Sequence, residues 1–128
     1  MTPWFANTLM LAAAAILVFC GCAHSYLGER FLFRRLFALP DLPLFHHDRR
    51  YTESVLRFAW HLTSLAWWGF AAILLSLAIG APTLRVVGGI IGITILLTGT
   101  IIVATAGKRH PAWWLFLLAG GLIIAASW

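Results

Sequence analysis

Charge is scarce in this chain and acids are scarcer still, with four Asp and Glu against nine Lys and Arg in 128 residues. Only 10% of residues are charged, against about a quarter in an ordinary soluble domain, which excludes a conventional water-facing surface. Cysteine is nearly absent, and Cys20 and Cys22 are the only two. Two apart on a helix, they point about 200° away from each other, which excludes a mutual disulfide and makes small buried residues the simpler reading. The motifs of common chemistry are missing as well: HExxH, paired ExxH, CxxCH, a phosphate loop and a nucleophile elbow. Ser25 directly follows His24, and no acid is placed by sequence to complete a serine triad. The net charge of +5 comes without a recognition motif and flanks apolar runs, so nucleic acid is not an expected partner and lipid headgroups are.

What the chain has in quantity is apolar residues, 62% of the total, with a mean hydropathy of +0.92. The expected fold is all-α: a polytopic integral membrane protein, a four-helix transmembrane bundle forming a single membrane domain over 1–128. Its spans are expected at about 4–24, 55–80, 86–106 and 112–128. The first carries no Lys or Arg before its apolar core and no clear small-residue cleavage site, so it is read as a retained span rather than an export signal. Trp113, Trp114 and Trp128 bracket the last, which is the shortest.

Between the first two spans lies a polar island, His24 to His61, holding all four acids, four of five histidines and six of nine basic residues. Residues 25–54 are read as a cytoplasmic amphipathic and polar connection. Leu27, Phe31, Leu32, Leu36 and Leu39 fall near one side of a helix, so this stretch either continues the first helix or lies on the membrane surface after a bend at Gly28. Pro40 and Pro43 end it. The Arg-rich connection and the Lys108-Arg109 turn share a side under any even-numbered crossing scheme. The positive-inside tendency makes that side cytoplasmic, in a bacterial inner membrane, with both termini outside.

This topology brings distant polar residues to one depth. Glu53, Arg57, His61 and Ser64 form a stripe on the second span, with Glu53 and Arg57 in favourable order for an i,i+4 pair. Imidazole and carboxylate together suit a transition metal, and two histidines on facing helices suit haem b. The candidate ligands are His24, His61, Glu29 and Glu53, with His46, His47 and His110 as additional ones. Arg30, Arg34, Arg35, Arg49 and Arg50 are expected to contact lipid or a partner. Gly88, Gly92 and Gly99 are expected to serve close helix packing. No reaction follows from these residues. The leading expectation is an accessory or complex-forming membrane subunit, in a homo-oligomer or larger complex. The alternatives are a metal- or haem-binding redox protein and a small transporter or proton-relay component.

Overall fold

A computed structural model describes residues 3–128 and is helical throughout, with three helices long and apolar enough to cross a membrane and a fourth, shorter one. The first, α1 (Pro3–Leu27), does not bend away at Gly28. It runs on through a π-helical segment, Gly28–Phe33, and a last α-helical turn, Arg34–Leu36, to make one apolar rod, Trp4–Leu36, of 33 residues. At 1.5 Å per residue that rod is roughly 50 Å long, about 20 Å more than the roughly 30 Å of hydrocarbon in a bilayer.

Most of the apolar stripe over this stretch is exposed on the protein's outer side. Leu27, Phe31, Leu32 and Leu39 are exposed, and the buried residues are Gly28 and Phe33. Five residues apart, these two diverge by about 140° on an α-helix. Widening the turn to i→i+5 bonding swings them toward one face.

Beyond the rod the chain reverses, and Arg49 closes its end. The Arg49 guanidinium donates to the carbonyls of Phe37 and Leu39, which have no helical partner of their own, while its Nε pairs with Glu53 at 3.1 Å. The second helix, α2 (Arg49–Ala78), is capped by Asp48, whose side chain accepts from the Tyr51 amide at 3.1 Å. Thr83 caps α3 (Leu84–Ala106) in the same way, and the positive φ of Gly107 ends it. The last helix, α4 (Trp113–Ser127), has 15 residues, two fewer than the span expected over 112–128. Pro111 and Ala112 form the turn that leads into it, with Ala112 as the N-cap.

The helices pack in series: α1 on α2, α2 on α3, α3 on α4. Two kinds of seam hold them. Between α1 and α2, Gly21 and Gly28 leave room for the indoles of Trp68 and Trp60, which donate to the carbonyls of Val18 (3.3 Å) and His24 (3.0 Å). Between α3 and α4, Gly88 lies against Ser127, Gly92 against Ile124, Gly99 against Leu117, and Gly120 of α4 against Leu96. Small residues let backbones come close, which is where helix association in lipid finds its van der Waals energy. At one end Phe58, Ile102 and Ala106 form a core that also takes in Trp113 and Phe116. There Arg109 pairs with Asp48 at 3.1 Å, so the two basic connections lie at the same end of the protein.

Candidate functional site: the polar seam between the first two long helices

Above that end, α1 and α2 share a line of polar side chains. Ser25 of α1 and Glu29 of the π-helical segment lie on one face of the first rod, and Arg57, His61 and Ser64 lie on the facing side of α2. His61 stands at the centre, with Nδ1 2.8 Å from the Ser25 hydroxyl and Nε2 3.0 Å from Glu29 Oε1. Ser25 in turn meets Ser64 at 2.8 Å, and Arg57 Nε donates to Glu29 Oε2 at 3.2 Å while lying 2.9 Å from Oε1 in an ion pair.

Donor and acceptor counting gives the seam two self-consistent states. A carboxylate only accepts, so His61 Nε2 carries hydrogen toward Glu29 in either state. With neutral imidazole, Nδ1 accepts from Ser25, which accepts from Ser64. With imidazolium, Nδ1 donates to Ser25, which donates to Ser64.

Ser25, His61 and Glu29 thus stand in the order of a nucleophile, a base and an acid, a juxtaposition the sequence did not reveal. Hydrolysis still lacks a part. Ser25 sits inside a helix, where neighbouring amides are committed to helical hydrogen bonds and supply no oxyanion hole.

The expected metal or haem centre is not formed. Among the described residues, no group of three or more His, Cys, Asp or Glu is arranged to hold a metal ion, which corrects the metal-binding expectation for His24, His61, Glu29 and Glu53 and for His46, His47 and His110. The reasons are steric and rotational. His24 lies on another side of α1 from Glu29, stacked flat on Trp60 at 4.1 Å and edge-on to Trp67 at 5.1 Å, with its Nε2 buried and unpartnered. Glu53 is held by Arg49. His46 lies against Tyr51, His110 against Phe58, and His47 is exposed in the loop. A haem between α1 and α2 has no space, because the Trp60–Gly28 and Trp68–Gly21 contacts close that seam. Cys20 and Cys22 are free and exposed, away from every histidine contact described here, and not buried as expected.

Arg57 does not take Glu53 as its partner. It reaches Glu29 across the seam and lies over the rings of Phe33 and Phe37, at 5.9 and 5.3 Å, a setting that a surface i,i+4 pair on one helix does not offer. Of the five arginines expected to meet lipid or a partner, Arg49 is turned inward onto the end of α1, whereas Arg30, Arg34, Arg35 and Arg50 are exposed. Outside the spans, Asp48 has a perturbed acidity: the Tyr51 amide, and beyond it the Arg109 guanidinium, hold its carboxyl below the ordinary value. Comparison of the chain with protein-family models, with curated proteins and with solved structures finds no match.

Proposed function

We propose that this small all-α membrane protein is a non-catalytic, complex-forming subunit of a bacterial inner membrane, with four crossings, both termini outside and residues 25–54 in the cytoplasm. One observation carries the reading: the polar side chains that meet along the seam pair with one another across it. Ser64, Ser25, His61, Glu29 and Arg57 satisfy one another between two helices, as a clamp does. A transport path needs polar groups through the whole apolar layer. From Arg57 to Ser64 the seam rises only about 10 Å along α2, a third of the roughly 30 Å required.

The serial arrangement of the helices supports the same reading. Ile16 and Phe19 of α1 are 61% and 72% exposed, on a rod already clamped to α2, and they offer a rigid apolar flank to another helix. Cys20 and Cys22 are exposed on the same helix and serve as native probes. Membranes treated with a short bis-maleimide are expected to give a cross-linked species, either two copies of this chain or one copy with a larger membrane protein, lost in C20S/C22S. A protein that stays monomeric by single-molecule photobleaching in native-membrane nanodiscs, with no cross-link from α1, overturns the proposal.

A further inference from the structure

At its rim the seam opens into a polar cup, in which Tyr26, Arg30 and Arg34 join two residues of the clamp, Glu29 and Arg57. Tyr26, Glu29, Arg30 and Arg34 of the first rod face Arg57 of α2 across an open cavity of about 370 Å³. Glu29 is already shared between Arg57 and His61. Arg30 and Arg34 enter none of the ion pairs formed among the described residues. They stand four apart on a helix, where like charges repel each other unless an anion lies between them. Arg57 spends only its Nε on Glu29, which leaves its two terminal nitrogens as donors. Three guanidinium groups against one carboxylate give the cup a net positive charge of two.

Depth identifies the anion. With Trp4 at the far interface, the helix climbs about 39 Å to Arg30, beyond about 30 Å of hydrocarbon and into the layer of phospholipid headgroups. Guanidinium forks match the paired non-ester oxygens of a phosphate. We propose that the cup binds the phosphodiester headgroup of a net-anionic phospholipid, with Arg30 and Arg34 as its main donors and Arg57 and Tyr26 completing the ring. A choline headgroup brings its cation toward two unpaired arginines and is disfavoured.

The test is native mass spectrometry of the full chain in dodecyl maltoside, titrated with phosphatidylglycerol or phosphatidylcholine. Two unpaired arginines at about a factor of five each give an expected preference of roughly twenty-five-fold for phosphatidylglycerol. R30Q/R34Q is expected to bind the two lipids equally, R30K/R34K to keep a reduced preference, and R85Q/K108Q, which removes the same charge elsewhere, to keep the full one. Helix content by circular dichroism checks each variant. Should R30Q/R34Q fail to fold, the reduced preference of R30K/R34K decides, and an unchanged preference there overturns the site. Equal binding of both lipids by the unaltered protein overturns it as well, as does equal loss in R85Q/K108Q. Displacement of phosphatidylglycerol by glycerol 3-phosphate at matching concentration reassigns the cup to a soluble phosphate and overturns the lipid assignment.

Discussion

Gly28 makes the sharpest single-residue test of how α1 and α2 are joined. A methyl group added there runs into the Trp60 indole, whereas one added at Gly89 or Gly121 meets open space. Gly28→Ala is therefore expected to cost about 1–3 kcal/mol, the usual range for overpacking, and Gly89→Ala to stay within about 0.5 kcal/mol. Unfolding in mixed detergent micelles measures both. Trp60→Phe makes room by removing the five-membered ring, so the double variant is expected to recover part of the loss, a coupling that a purely local helix effect at Gly28 does not produce. His61 is the matching test of the polar line. His61→Phe removes its contacts to Ser25 and Glu29, and at about 0.6 kcal/mol for an average interhelical hydrogen bond in lipid the loss is about 1–2 kcal/mol. Ser64 makes one contact across the seam where His61 makes two, so Ser64→Ala is expected to cost less than His61→Phe.

Whole helices were more legible in the sequence than their faces. Long apolar runs are dictated by composition, so the three long helices follow from reading along the chain. The stripe of Arg57, His61 and Ser64 was visible because four- and three-residue steps mark one side of an ordinary helix. Its complement on α1 was not. His24 draws the eye toward Glu29 five residues on, while the working pair is Ser25 and Glu29 at four. The widened turn at Gly28–Phe33 defeats periodic reading altogether, since it turns a glycine and a phenylalanine inward where an α-helical count selects leucines. The start of α2 carries its own prediction. Asp48, with its carboxyl held below the ordinary value, adds stability that is complete above the unfolded value of about 3.9 and is lost as pH falls through the lower, folded value. Hydrogen-exchange protection at the Tyr51 amide, measured relative to the intrinsic exchange rate at each pH, is expected to be full at pH 5 and to fall below about pH 4. Asp48→Asn keeps a capping oxygen, and its protection relative to the intrinsic rate is expected to hold over that range.

For the molecule as a whole, the decisive element is the shortest. Fifteen residues of α4 reach about 22 Å at 1.5 Å per residue, some 8 Å less than the hydrocarbon layer. Length alone argues for a helix that dips in and stops. Its contacts argue the other way: Gly99, Gly92 and Gly88 of α3 meet Leu117, Ile124 and Ser127 of α4 in reverse order, so α4 retraces nearly the whole of α3. At the far end Arg85 lies 4.4 Å over the Trp128 ring, and at the near end Arg109 pairs with Asp48. The proposed fourth crossing rests on those contacts: a helix bound to a crossing neighbour is expected to cross with it, with an indole at each end, Trp113 and Trp128, where the bilayer would thin locally at a fraction of a kcal/mol per Å. In a C20S/C22S background, single cysteines at Arg50 and Lys108 are expected to react with an impermeant maleimide only after the inner face is opened. Cysteines at Thr83 and Trp128 are expected to react from outside in intact cells. Labelling of position 128 together with 108 from one face would mean that α4 turns back within the layer, giving three crossings and placing the C-terminal end of the helix beside the arginine-rich connection.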